Sequence, residues 1–173
     1  TLQVRPGELV GIAGISGNGQ RELFEVALGL VHPTSGTVAI GSYAPNRMSP
    51  IGAAEHGAVN VPEDPVEDAV VPGLTVLETL ALADLPAYRK GLSIDWGKVR
   101  ADYVERDAHT KLSVAQPGRV VGSLSGGNIQ RVMLVRALGA EADLVVAAYP
   151  ARGLDIASTR RTQELLLHQC DQG

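Results

Sequence analysis

The segment that decides the fold of this 173-residue chain is Leu124-Ser-Gly-Gly-Asn-Ile-Gln-Arg131. Apolar residues continue from it at the spacing of a helix that begins at the serine: Ile129, Val132, Met133 and Ala137. A serine hydroxyl and two glycine N–H groups at a helix N-terminus can bind a phosphate, because that end carries unpaired donors and partial positive charge. A serine that only caps the helix is the alternative. The order of the neighbouring segments favours phosphate binding.

A second glycine-rich segment, Gly14–Arg21, lies near the start of the sequence. The apolar run Glu8–Ala13 before it predicts a strand, and Gln20–Leu30 after it predicts a helix. Between a strand and a helix, a glycine loop can turn consecutive N–H groups toward one anion. The candidate phosphate-binding residues of this loop are Gly14, Ser16, Gly17, Asn18, Gly19, Gln20 and Arg21.

The chemistry of this loop departs from the usual phosphate-binding pattern. That pattern ends in Lys, which reaches the terminal phosphates, and in Ser or Thr, whose hydroxyl binds Mg²⁺. Gln20 and Arg21 stand at those two positions. A glycine turn with no ligand therefore remains an open alternative. A dinucleotide-binding loop is disfavoured, because Glu22 stands where its third glycine should be.

Predicted strands and helices alternate along the rest of the chain. Strands are predicted at 37–40, 58–61 and 144–148, and helices at 74–83, 95–112, 125–138 and 156–169. This alternation is typical of an α/β fold with a mainly parallel sheet. The stretch 65–124 is rich in predicted helix and is expected to form a separate subdomain, which leaves 1–64 and 125–173 as the core.

Composition and charge exclude several classes of protein. The net charge is −4 with no run of Lys or Arg, which disfavours a nucleic-acid surface. A single cysteine, Cys170, excludes an internal disulfide and a cysteine-based zinc site, and four scattered histidines predict no metal site. The sequence has no apolar run of about 20 residues and no signal-peptide pattern, since Arg5 and Glu8 interrupt its start. Work at a membrane would need another subunit that crosses it.

Two further segments follow predicted strands and carry polar residues. Val61-Pro-Glu-Asp64 lies between the two glycine segments, and Ala148-Tyr-Pro-Ala-Arg-Gly-Leu-Asp155 lies just after the predicted helix 125–138. A solvated acidic turn is the alternative interpretation of the first. An unrelated buried strand and turn is the alternative for the second.

Taken in order, these four segments resemble the nucleotide-binding domain of ABC transporters over nearly the whole chain. Leu124–Arg131 resembles the ABC signature, Gly14–Arg21 the phosphate loop, 144–155 the Walker B strand with its D-loop, and 61–64 the Q-loop. The resemblance implies a P-loop NTPase-type parallel sheet with an inserted α-helical subdomain. It also implies that 1–173 is a partial domain, truncated at both ends.

The resemblance assigns roles to residues and shows which roles are vacant. Ala148 and Tyr149 replace the Mg²⁺-binding Asp and the catalytic Glu of Walker B, so no intact catalytic residue and no metal ligand is expected. Glu63 occupies the glutamine position of the Q-loop. ATP is the implied cofactor, with Mg²⁺ in the site that a partner domain dominates. The further implied nucleotide-contacting residues are Ser125, Gly126, Gly127, Asn128 and Asp155.

Within the family, the resemblance is closest to the C-terminal of the two fused domains in sugar and nucleoside importers. Loss of both Walker B acids before Pro150-Ala-Arg-Gly-Leu-Asp155 is most similar to nucleoside importers that work with basic-membrane-protein-type lipoproteins. The implied partners are a second ABC domain, transmembrane permease subunits and, indirectly, that lipoprotein, at the cytoplasmic face of the membrane. Two alternatives are a soluble ABC protein of DNA repair or translation, which usually keeps both acids and a basic surface, and a regulatory nucleotide-binding module without transport.

Overall fold

The computed structural model describes residues 1–15 and 17–172, which form seven α-helices and four short strands. The helices are α1 Gln20–Ala27, α2 Pro50–Glu55, α3 Pro65–Asp68, α4 Val76–Ala83, α5 Trp96–Thr110, α6 Gly126–Leu138 and α7 Ile156–Gln172. The strands are β1 Ala58–Val61, β2 Arg89–Lys90, β3 Ser93–Ile94 and β4 Leu144–Ala147, and a 3₁₀ turn covers Val121–Ser123. None of these described helices is long and apolar enough to cross a bilayer.

The parallel sheet that the sequence predicts is present as the pair β1 and β4. Its register runs from Ala58 opposite Leu144 to Val61 opposite Ala147. The strands β2 and β3 form a separate antiparallel hairpin. Helices lie around the parallel pair, so the expected α/β class is confirmed.

Two predicted strands, 8–13 and 37–40, are wrong. Residues 8–13 are exposed and form no ladder with any described residue, although they are apolar. In the second stretch, Ile40 makes only an isolated bridge with Tyr43. An apolar run predicts burial, but a strand also requires a neighbouring strand with which to share hydrogen bonds. Within the described part of the chain these segments have no such neighbour.

Glycine and capping residues explain where several helices begin and end. The predicted helix 20–30 stops at Ala27, because Gly29 adopts a φ of +70° and its N–H bonds to the carbonyl of Val26. Thr75 and Glu78 form a reciprocal capping box at the start of α4. Ser49 caps the unpredicted helix α2, where Pro50 occupies the first position.

Helix α6 lies at the centre of the molecule and contributes to two apolar clusters. Toward α4 and α5 it buries Ile129, Val132 and Met133. Toward the parallel strands and α7 it buries Leu134, Val135, Ala137 and Leu138. A helix that is buried on most of its circumference has little freedom to tilt. The exposed N-terminal turn of α6 is therefore held in a fixed orientation by the packed remainder of the helix.

Candidate functional site

The N-terminal corner of α6, formed by Ser125 and Gly126, faces solvent. Ser125 occupies the N-cap position with an extended backbone, and its side chain makes no capping hydrogen bond among the described residues. A Cβ added to Gly126 would meet nothing within 4 Å. The serine hydroxyl and the first N–H groups of the helix are thus available to an anion from outside, together with the partial positive charge of the helix end. We call Ser125–Gly127 the signature corner.

Behind this corner, α6 is held against residues 149–155, which we call the D-loop. A Cβ added to Gly127 would lie 2.7 Å from the carbonyl oxygen of Gly153, so only glycine allows this approach. The buried side chain of Gln130 donates from Nε2 to the carbonyl oxygen of Pro150 at 2.9 Å. The guanidinium of Arg131 bonds to the carboxylate of Asp155. The signature corner and the D-loop therefore form one unit.

Asp155 serves two intramolecular contacts in this unit. Its carboxylate accepts from the Ser158 backbone N–H at 2.8 Å and from the Ser158 hydroxyl at 3.0 Å, which caps α7. These bonds, with the smaller effect of Arg131, hold the pKa of Asp155 below its ordinary value. The nucleotide contact predicted for Asp155 remains a prediction.

The phosphate loop is closed by its own glutamine. Gln20 Nε2 donates to the carbonyl oxygen of Ile15 at 3.1 Å, and Gln20 Oε1 accepts from the Asn18 N–H at 3.2 Å. A Cβ at Gly14 would overlap the Gln20 amide, so the side chain folds across the loop toward that glycine. Gly17 and Gly19 adopt φ values of +87° and +95°. Ser16, predicted to contact phosphate, lies outside the described residues.

Arg21 places a cation where the usual loop carries a metal-binding hydroxyl. Its guanidinium bonds to the Glu25 carboxylate at 3.0 Å and lies 3.6 Å from the carboxylate of Asp68 on α3. The hydrogen bond to Glu25, followed by the charge of Asp68, raises the pKa of Arg21 above its ordinary value. Among residues 1–15 and 17–172, no cluster of acids, histidines and cysteine is arranged to hold a metal ion.

The end of β4 supplies no acid to this site. Ala148 follows the strand, and its N–H donates to the carbonyl oxygen of Val61 at 2.8 Å. Tyr149 has a φ of +48° and is about half exposed. Glu63 is exposed, and its carbonyl oxygen accepts from Arg152 at 3.3 Å. The residues present at these positions do not fit Mg²⁺, because neither a hydroxyl at position 21 nor a carboxylate at position 148 is available.

The predicted site residues therefore fall into two separate groups. The signature corner, with Asn128 beside it in α6, lies next to Asp155 and to Arg152, which bonds to Glu63. Residues 14, 15 and 17–21 form their own loop. No hydrogen bond or ion pair between described residues joins the two groups. The sequence motifs assign no role to Gln130 or Arg152. A polar residue at a buried position of an apolar helix was the available signal for Gln130.

Comparisons with known proteins agree on one family. The family model described as ABC transporter matches residues 1–150. The chain is 34% identical to the glucose import ATP-binding protein TsgD13 of Haloferax volcanii, over 99% of this chain and 32% of that protein. It is 33% identical to the nucleoside import ATP-binding protein NupA of Lactococcus lactis subsp. cremoris, over 100% of this chain and 35% of that protein. The chain thus spans about a third of the length of the curated relatives it matches.

Solved structures of ATP-binding cassettes share its fold. The dimeric, post-hydrolysis state of the cassette MJ0796, bound to ADP and Pi, superposes with a TM-score of 0.83 at 26% identity, over 99% of this chain and 73% of that one. A nucleotide-free cassette from an ABC transporter superposes with a TM-score of 0.70 at 23% identity, over 91% of this chain and 64% of that one. With the family match and the geometry of the two glycine segments, these results show that the chain belongs to the ABC transporter family.

Proposed function

We propose that this chain is the ATP-binding half of an ABC importer for nucleosides or simple sugars, and that it supplies its signature corner in trans to a catalytically competent second domain. One observation carries the proposal: an exposed, well-braced signature corner occurs together with a phosphate loop and a β4 end that lack every charged group needed for hydrolysis. The chain is thus equipped to complete another domain's site and poorly equipped to run its own.

The signature corner suits the terminal phosphate of an ATP that the second domain holds. Ser125 and Gly126 are exposed, the Ser125 hydroxyl makes no capping hydrogen bond within the described chain, and α6 adds partial positive charge at its N-terminus. Donors that are fixed before the reaction stabilise developing charge without reorganising. The likeness to a cassette that is dimeric with ADP and Pi bound supports the pairing of two such domains around nucleotide.

The chain's own loop is expected to bind nucleotide weakly, or to hold it unhydrolysed. Gln20 brings no positive charge to the phosphates and already bonds to the loop backbone. Ala148 and Tyr149 bring neither a metal ligand nor a base. We therefore assign Mg²⁺ to the site dominated by the second domain, and route no step of hydrolysis through Mg²⁺ in this loop.

The proposal includes partners that this chain does not contain. The proposed importer includes transmembrane permease subunits and, indirectly, a substrate-binding lipoprotein, and we expect this chain to lie at the cytoplasmic face of the membrane. The helical segment after Glu63 would transmit closure of the domain pair to the permease. Relatives named for the import of glucose, nucleosides, ribose and guanosine support the substrate class.

The test is steady-state ATPase activity of the reconstituted full-length transporter. Ser125→Arg or Gly126→Asp is expected to abolish activity, because a bulky or acidic side chain at the corner blocks closure or repels the phosphate. Gln20→Ala is expected to reduce activity much less. Ser42→Arg, an equally large change at an exposed loop position, is the control. If Gln20→Ala is as damaging as Ser125→Arg, the proposed division of labour is wrong.

A further inference from the structure

Gln130 is a buried polar residue whose hydrogen bond leaves its own helix. Its residue is 2% exposed, between the apolar clusters that surround α6. Nε2 donates to the carbonyl oxygen of Pro150 in the D-loop at 2.9 Å. A buried amide without a partner is destabilising, so this bond fixes the distance between α6 and the D-loop.

Gln130 shares one face of α6 with two other D-loop contacts. Gly127, Gln130 and Arg131 are related by steps of three and four residues, so they lie side by side along the helix. Gly127 approaches Gly153, and Arg131 bonds to Asp155, which also caps α7. Arg131 has a side chain only 23% exposed, and its Nε is buried with no partner among the described residues. Three neighbouring contacts thus hold the first turns of α6 from behind.

The front of the same turn has no comparable support. Ser125 makes no capping hydrogen bond within the described chain, and the Cβ position of Gly126 is open. The direction of the donors at the signature corner is therefore determined by the contacts behind it. Among these, Gln130 provides the buried hydrogen bond, and it bonds to the loop backbone rather than to a mobile side chain.

We infer that Gln130 is a positioning residue for ATP hydrolysis: through Pro150 it fixes the orientation in which the signature corner meets the phosphate. The inference rests on the proposed function, because the reaction takes place in the site that the corner completes. In the proposed arrangement Gln130 lies behind the corner and acts through Ser125 and Gly126. A small misplacement of aligned donors is enough to lower a rate about tenfold or more.

The experiment replaces Gln130 by methionine in the full-length transporter and measures kcat and KM for ATP. Gln130→Met keeps the length of the side chain and removes its donor. Gln169→Met is the matched control, because Gln169 Nε2 also donates to a backbone carbonyl, that of Ala140, at 2.9 Å and away from the D-loop. We expect kcat to fall at least about tenfold with Gln130→Met. KM should stay within about threefold, because the second domain holds the nucleotide, and the control should match the wild type.

Three further comparisons make each outcome decisive. A Gln130→Met transporter that loses thermal stability but keeps the wild-type kcat per folded molecule would overturn the inference, since Gln130 would then be only structural. If Gln130→Met does not fold, Gln130→Leu, which is smaller and also lacks the donor to Pro150, is measured in its place, and an unchanged kcat there overturns the inference too. Ser125→Arg is measured in parallel: if it leaves activity intact, the proposed function fails. If it abolishes activity while Gln130→Met equals Gln169→Met, only this inference fails.

Discussion

Replacing Gln20 is expected to change how tightly the phosphate loop binds nucleotide. The loop geometry predicts how the affinities of three variants rank against that of the native chain. In the native chain the Gln20 amide occupies the Asn18 N–H and the Ile15 carbonyl at 3.2 and 3.1 Å. A phosphate that binds the loop must compete for that N–H. Gln20→Ala removes the competitor, Gln20→Lys also adds a positive charge, and Gln20→Glu keeps an acceptor for the N–H while adding a negative charge.

The magnitude follows from the two hydrogen bonds that the Gln20 side chain gives up when it moves aside for a phosphate. A net hydrogen bond contributes about 0.5–1.5 kcal/mol, and both of these bonds are exposed, so about 0.5 kcal/mol each is appropriate. About 1 kcal/mol in total corresponds to about a fivefold gain in affinity for Gln20→Ala, since 1.4 kcal/mol corresponds to tenfold. Gln20→Lys should bind more tightly still, and Gln20→Glu less tightly than the native chain.

The assay is fluorescence anisotropy of a labelled ATP analogue titrated with the purified chain, in EDTA to remove metal. Gln163→Ala, at an exposed position of α7, serves as the control for a glutamine-to-alanine change away from the loop. The expected order of affinity, from tightest to weakest, is Gln20→Lys, Gln20→Ala, the native chain and Gln20→Glu. A Gln20→Ala variant that binds at least threefold more weakly than the native chain would refute the reasoning, because Gln20 would then contact the nucleotide directly.

Three other outcomes are expected. The purified chain and its Gln20→Lys variant should not hydrolyse ATP in a phosphate-release assay. Each missing electrostatic contact typically lowers the rate about 10²–10³-fold, and several such contacts are absent. Turnover above that of a mock preparation would contradict this expectation. The free energy of unfolding in urea should be about 1–3 kcal/mol lower for Gly127→Ala than for Gly126→Ala, because only a Cβ at position 127 meets the backbone oxygen of Gly153. Equal free energies of unfolding would contradict the close approach of Gly127 to Gly153. Hydrogen bonds from the Thr75 N–H and hydroxyl lower the pKa of Glu78 in the folded state. The ionised Glu78 therefore contributes folding stability above its unfolded-state pKa of about 4.3, and this contribution should be lost as the pH falls through the lower folded-state pKa. Unfolding measured between pH 3 and pH 7 should show a weaker acid decline in Glu78→Gln, and an unchanged decline would contradict the assignment.

Regular elements with local signals were predictable from the sequence. The strand at 58–61 occurs as predicted, β4 is one residue shorter than expected, and α6 begins immediately after Ser125. Periodicity and capping signals lie within the segment itself, so these elements can be predicted without knowledge of the tertiary fold. Helix α2 was missed although its signals, Ser49 as N-cap and Pro50 at the first position, are local as well.

Features that depend on contacts between distant residues could not be predicted. The apolar run 8–13 predicts a strand, but strand formation depends on a neighbouring strand that the sequence pattern does not reveal. The motif identifies Gln20 as a replacement for the usual Lys. The hydrogen bond from the Gln20 side chain to the Ile15 carbonyl is visible only in the structure of the loop. Likewise, Gln130 was visible as part of a motif, but its bond to Pro150 joins residues 20 positions apart.

The two glycine segments are built from different chemistry, and under the proposed function this difference lets one lose its catalytic groups while the other keeps its role. The signature corner uses backbone N–H groups and one hydroxyl, and its support comes from Gly127, Gln130 and Arg131 against the D-loop. None of that support involves residues 14–21 through a described hydrogen bond or ion pair. Hydrolysis at the chain's own site, by contrast, would need charged side chains at position 20 of the phosphate loop and position 148 after β4, which hold Gln20 and Ala148. Under the proposed function, a domain that completes its partner's site could therefore lose its own hydrolytic groups and still serve that site.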